Sequence, residues 1–197
     1  MEQEMNESMS FWQMVLEYLK DVCYMVAVVV VIFTFCIRSV IVSGDSMFNT
    51  LVDKDYLIVM ERHLAGEPEQ GDIVVASMDR FWEGKPIVKR VIATEGQTVD
   101  IDFNAGIVYV DGVALEEEYT FTPTNLSEGT RFPLVVEEGC LFLMGDNRNE
   151  SRDSRDPSIG QVDRREILGK AVFLLVPGSG SYKHPVQKDW GRIGGLN

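Results

Sequence analysis

The sequence predicts a mainly β protein behind a single N-terminal membrane-spanning helix. Three observations carry this expectation. Residues 22–37, VCYMVAVVVVIFTFCI, run for sixteen positions without a charge. Beyond residue 42 the apolar residues come in short runs broken by Gly, Pro, Asp and Asn, with turn signals about every 10–15 residues. No long stretch after residue 42 keeps a helical period.

The first element is the apolar run, which continues past Arg38 into SVIV. A bilayer core needs roughly 20 mostly apolar helical residues, and the stems of Lys20 and Arg38 can carry their charges out to the interface. Valine is a mediocre helix former in water, but in lipid the backbone must bond to itself. The preceding FWQMVLEYL offers Phe11, Trp12 and Tyr18 as interfacial anchors. A cleaved export signal would have a basic start and a core of about 7–15 residues. Here the start, MEQEMNE, is acidic and the core is longer, so a retained anchor over 22–42 is expected. Lys20 and Arg38 lie on opposite flanks, so the positive-charge rule leaves the orientation open.

Strands follow in order. DYLIVM (55–60), DIVVAS (72–77), PIVKRVIA (86–93), TVDI (98–101), GIVYV (106–110), CLFLM (140–144) and ILGKAVFLLV (167–176) are rich in β-branched residues and bounded by turn formers. IDFNAGIVYVDG (101–112) reads as a hairpin turning at Asn104 to Gly106. Residues 115–135 are more polar and less regular, as in an insertion on a core. Residues 177–197 are rich in Gly and expected to be extended or mobile.

Composition narrows the chemistry. The 197 residues are 45% hydrophobic and 25% charged, with a formal charge of −13. No basic run exceeds two residues, so no nucleic-acid partner is expected. Cys23 and Cys36 fall in the apolar run, leaving Cys140 without a disulfide partner or a CxxC pair. Only His63 and His184 are present, each in a turn-like or Gly-rich stretch. A Ser-His-Asp triad and a zinc site both lack support, and DNRNESRDSRD (146–156) lacks the pattern of a calcium loop. No metal or cofactor is expected.

A histidine-free mechanism is available. SGDSMFNTL (43–51) places Ser46 in a Gly-containing turn just after the apolar segment. Lys89 lies in a strand-like run with Ile87 and Val88 before it and Val91 and Ile92 after it. Aliphatic surroundings disfavour the ammonium and lower its pKa. Moving a lysine from about 10.4 to about 8 takes roughly 3 kcal/mol of differential solvation. A neutral Lys89 could then take the Ser46 proton. From spacing alone, a turn serine and a solvent-facing lysine remain the ordinary alternative. The third cluster, LMGDNRNESRDSRD (143–156), runs from a strand into a loop able to tie itself together through Arg–carboxylate forks and Asx turns; a plain salt-bridged loop is equally compatible.

In this order, after an N-terminal span, the three clusters resemble the bacterial type I signal peptidases. SGDSMFNTL is similar to that family's nucleophile box (SGxSMxPTL), KRVIATEGQTV to its lysine box (KRVxGxPGD), and GDNRNESRDSR to its GDNRxxSxDSR box. The resemblance covers about residues 22–176. It implies Ser46 as nucleophile and Lys89 as general base, with Ser151 orienting the lysine amine and Asp146, Asp153 and Arg155 organising the loop. Arg90 falls to structure, and the Ser46 N–H to the oxyanion. The implied domains are a cytoplasmic segment (1–21), an anchor (22–42), a catalytic β core (43–95 and 136–176), a smaller inserted β subdomain (96–135) and an extended tail (177–197). The implied place is the plasma membrane, crossed once, with the β domain on the extracytoplasmic side.

The resemblance also implies the partners: signal-peptide-bearing preproteins and the lipid bilayer. An extended substrate would add as a strand, and small side chains would enter shallow pockets lined by Val42, Met47, Leu51, Ile87 and Val88. Three positions depart from the family pattern. Asn49 and Glu95 replace prolines, and Gly44 stands where some members carry a serine that donates to the oxyanion. These departures are what a non-cleaving, peptide-binding β module would show, whereas Ser46, Lys89 and Ser151 are intact. A repressor-cleavage protease would carry a DNA-binding domain where this chain carries a span.

Overall fold

The computed structural model describes residues 11–181 and 183–196, the side chain of Trp82 excepted. The acidic start, residues 1–10, lies outside the described residues. The chain divides after Ile37 into two compact units. The first holds helix α1 (Phe11–Phe35), whose 25 residues extend about 37 Å at 1.5 Å per residue. That is long and apolar enough to cross a hydrocarbon core of about 30 Å. None of its residues is buried by protein, so its valines and phenylalanines need another apolar medium. The helix starts earlier than the expected 22–42 anchor and ends sooner. No Gly or Pro interrupts FWQMVLEYLKD, and the Lys20–Glu17 pair (3.9 Å) lies along one face, so this stretch continues the helix. At the other end, β-branched Ile37, Val40 and Ile41 enter a strand instead.

The second unit is mainly β. From the boundary residue Ile37 onward the strands are β1 (Ile37–Ile41), β2 (Tyr56–Glu61), β3 (Ile73–Ala76), β4 (Ile87–Thr94), β5 (Thr98–Asp102), β6 (Ile107–Val110), β7 (Val113–Ala114), β8 (Leu134–Val135), β9 (Cys140–Met144), β10 (Val162–Asp163), β11 (Ile167–Val176) and β12 (Gly194–Gly195). A short helix, α2 (Arg62–Ala65), follows β2. One sheet runs β1-β2-β11-β3-β4-β9-β10, with β12 also pairing β11; a second runs β7-β6-β5-β8. The expected hairpin is present: Gly106 N–H closes the turn onto Asp102 C=O at 2.6 Å.

Three apolar clusters fix these elements. Val74, Ala76, Ile87 and Val91 pack with Leu141, Leu143 and Ile167. Val42, Met47, Leu51, Leu57, Ile73 and Ala171 form the second. In the third, Ile92, Phe142 and Met144 of the larger sheet meet Val99, Ile101, Val108 and Val110 of the smaller one. β4 is therefore covered on both faces, which explains its near-continuous apolar run.

Residues 177–181 and 183–196 do not trail into solvent as the Gly content predicts. The fully buried carboxylate of Asp55 accepts from Gly178 N–H (2.6 Å), Val52 N–H (2.8 Å) and the Arg192 guanidinium (2.8 and 3.1 Å). Leu196 packs on the second cluster. Buried polar groups and one apolar anchor outweigh the flexibility of the glycines.

Candidate active site

The turn that carries Ser46 is pinned by what flanks it. Met47 and Leu51 are driven into the second cluster, each removal from water contributing about 1.5–3 kcal/mol. Phe48 N–H bonds to Asp45 C=O (3.0 Å) and Leu51 N–H to Met47 C=O (2.8 Å). From across the fold, Asn147 donates its backbone N–H to Ser46 C=O (3.0 Å) and its amide to Asp45 C=O (3.1 Å). Gly145 lets these segments close. A Cβ there would overlap Ser46 C=O and the Ser151 side chain.

Lys89 occupies the middle of β4, opposite Val74 on β3. It shares the face of Ile87 and Val91 by strand alternation, so its stem lies along the first cluster. The residue is 4% exposed, and Nζ donates to Ser46 Oγ at 2.7 Å. Burial pulls its pKa from 10.5 down to about 8; Asp153, Glu128 and Asp146 pull it back up, and Arg155 pushes it down. At neutral pH roughly a tenth of the molecules therefore hold an uncharged amine against a hydroxyl, an arrangement able to take up the hydroxyl proton.

The loop beyond β9 is built from buried ion pairs. Asp146 accepts from Arg90 Nε (2.9 Å) and Nη2 (2.7 Å) and from Thr50 Oγ1 (2.5 Å). Asp153 takes a bidentate fork from Arg155 (2.8 Å each) and the N–H of Gly145 (3.0 Å). Arg155 also donates to Arg148 C=O (2.6 Å) and Leu126 C=O (3.0 Å). Asp146, Asp153 and Arg155 are fully buried, and each charge finds opposite charge and hydrogen bonds together, as such burial requires.

A cavity of about 520 Å³ opens beside the pair, lined by Val42, Met47, Ile87 and Val88 together with Ser46 and Lys89. The model for "Signal peptidase, peptidase S26" matches residues 15–176, a span that holds all three clusters. The chain belongs to the signal peptidase family, peptidase S26. It is 34% identical to a probable signal peptidase I-1 of Synechocystis sp. over 93% of this chain and 89% of that one. It is 30% identical to signal peptidase I S of Bacillus subtilis, over 87% and 95% respectively. A crystallised signal peptidase I from Enterococcus faecalis is 29% identical, with a TM-score of 0.44, covering 53% of this chain and 97% of that one.

Within this signal peptidase fold two expectations need correction. Leu51 does not line the cavity: it is fully buried in the second cluster, where it serves as a peg for the Ser46 turn. Ser151 Oγ makes no hydrogen bond among the described residues, so the expected bond to the lysine amine is not formed. Its hydroxyl packs against Gly145, in space that a Cβ would fill. The departures from the family pattern have local answers. Glu95 accepts from Gly139 N–H (2.7 Å) and pairs with Arg164 (3.4 Å), tying down the loop after β4. Asn49 is exposed. Gly44 has φ +90°, open space where a Cβ would be, and an N–H bonded to Asp53 Oδ1 (2.9 Å).

Of the other contributors, the sequence showed Arg148 as the arginine of the GDNR motif but not its partners, nor Glu128. Fully buried Arg148 pairs with Glu117 (2.5 and 2.8 Å) and Thr124 (2.8 Å). Burial raises the Glu128 carboxyl to about 7, with Asp153 adding to the effect. Neither partner is near in sequence, and single acidic residues in an irregular stretch carry no signature.

Proposed function

We propose that this chain is a membrane-anchored serine endopeptidase that removes signal peptides from exported preproteins, with Ser46 as nucleophile and Lys89 as general base. The observation that carries the reading is the 2.7 Å hydrogen bond between a buried amine of lowered pKa and the Ser46 hydroxyl. An extended substrate lies in the cavity as an added strand, its small side chains against Val42, Met47, Ile87 and Val88. Ser46 Oγ attacks the scissile carbonyl while Lys89 takes its proton, and the Ser46 N–H donates to the developing oxyanion. Lys89 then passes the proton to the leaving amine. Water, deprotonated by the same lysine, resolves the acyl-enzyme.

Asp146, Asp153 and Arg155 act by holding the loop against both residues. The core spans 43–95 and 136–176, with 96–135 as an inserted β subdomain. The helix of the first unit crosses the plasma membrane, leaving the N-terminal segment in the cytoplasm and the β domain on the outer side, where translocating preproteins emerge. Membranes carrying the wild type should process a preprotein, and those carrying Ser46→Ala or Lys89→Ala should not. Processing by either variant at the wild-type rate refutes the assignment.

A further inference from the structure

His184, read in the sequence as a residue of a loose tail, is packed into the fold beside the turn of the nucleophile. Its ring stacks on Phe48 (centroids 4.5 Å apart, planes at 22°) and meets the edge of Phe121 (5.7 Å). Its Nε2 lies 3.5 Å from Glu150 Oε2. Asp45, immediately before Ser46, completes a group whose three ligand atoms all lie within 4.8 Å of one another. We propose that Asp45, Glu150 and His184 form a binding site for one divalent ion of the zinc class.

Four features support the site. First, Asp45 Oδ1 and His184 Nε2 are closed off from solvent and make no hydrogen bond among the described residues. Two such atoms on residues of one cluster leave bonding capacity open there, because buried polar groups are otherwise satisfied. Second, one separation already fits. Zinc bound to nitrogen and oxygen at about 2.0–2.2 Å spaces its tetrahedral ligands about 3.4 Å apart, which the His184–Glu150 pair matches.

Third, the ligands are held from behind. Ser181 Oγ donates to Asp45 Oδ2 (2.6 Å) and accepts the N–H groups of Lys183 (3.1 Å) and His184 (3.2 Å), fixing the tail segment against the turn. Such outer bonds orient a site and count nearly as much as its ligands. Fourth, the donor set selects the ion. One imidazole and two carboxylates suit zinc, cobalt or nickel, whereas calcium takes 6–8 oxygens and magnesium keeps its waters. Lys183 Nζ, 3.5 Å from Glu150, is the competing cation. It is half exposed on a flexible stem and can turn to solvent when the ion enters.

The three ligands come from the nucleophile turn, the buried-ion loop and the tail, so the ion would clamp three segments that the sequence separates. Asp45 and Glu150 also line the cavity with Ser46, so a bound ion would occupy its wall. This inference stands apart from the protease reading, since metal binding needs neither Ser46 nor Lys89 to react.

The test uses the full-length protein in detergent at pH 7.5, titrated with cobalt alone and followed by its visible absorption, then with zinc in calorimetry. One ion should bind per chain, with the intense ligand-field bands of four-coordinate nitrogen and oxygen ligation and no thiolate band. His184→Asn and Glu150→Gln should each weaken binding at least about tenfold, while His63→Asn and Cys140→Ser leave it unchanged. Matching thermal midpoints of the metal-free proteins confirm that the variants fold. Absence of binding at millimolar zinc overturns the proposal, as does equal affinity in wild type, His184→Asn and Glu150→Gln.

Discussion

Replacing Lys89 by methionine should abolish processing and at the same time make the protein more stable. Lys89 is 4% exposed, and burial moves its pKa from 10.5 to about 8. At 1.36 kcal/mol per tenfold change in acidity, the folded state carries a penalty of about 3 kcal/mol for holding the ammonium. Losing the hydrogen bond to Ser46 takes back about 1 kcal/mol. The net gain at neutral pH is about 2 kcal/mol, or about 4–8 °C in the thermal midpoint of a chain this size.

The sign depends on pH. Below about 8 both folded and unfolded wild type are protonated, so the penalty is present in full. Between about 8 and 10.5 the folded protein has released its proton and the unfolded chain has not, so wild-type stability rises with pH. The Lys89→Met advantage should shrink over that window and vanish near pH 10, about where the remaining penalty equals the lost hydrogen bond. Thermal unfolding of both proteins in detergent at pH 7, 9 and 10.5 measures this. A variant no more stable than wild type at pH 7, or an advantage that persists unchanged at pH 10.5, refutes a desolvated lysine.

Three further outcomes follow from the same geometry. The acid limb of kcat/KM for preprotein cleavage should fall near pH 8, with about a tenth of the plateau at pH 7; a limb near 10 would contradict the burial. Gly145→Ala should lower kcat by about 100-fold, because the methyl meets Ser46 C=O and Ser151 and displaces the nucleophile; single-turnover cleavage reads this directly. Arg155→Ala should cost about 3–5 kcal/mol in denaturant unfolding, since it leaves Asp153 buried and unpaired, and Arg155→Lys should not restore it, a single ammonium being unable to reproduce the fork.

Strands whose apolar residues are contiguous were legible in the sequence: DYLIVM, PIVKRVIA and ILGKAVFLLV correspond to β2, β4 and β11. β1 was not, because Ile37, Val40 and Ile41 continue the apolar composition of the helix and only Arg38 and Ser39 break it. Ser46 and Lys89 could be named through motifs, but spacing alone could not bring them together across 43 residues. What stayed hidden depends on long-range pairing. Asp55 reads only as the first residue of the DYLIVM strand until Arg192, 137 positions later, reaches it. Ser151 was misjudged for a related reason: a loop motif fixes which residues are present, whereas the direction of a hydroxyl depends on the packing of Gly145 beneath it.

The Asp55–Arg192 clasp bears on when the protein can become active. Arg192 also donates to Thr50 C=O (3.0 Å), and Thr50 belongs to the same turn as Ser46, 142 residues upstream. The turn that carries Ser46 is thus completed by a group made long after it during synthesis. Until Arg192 has been made and has folded into place, a growing chain carries the Ser46 hydroxyl without this brace.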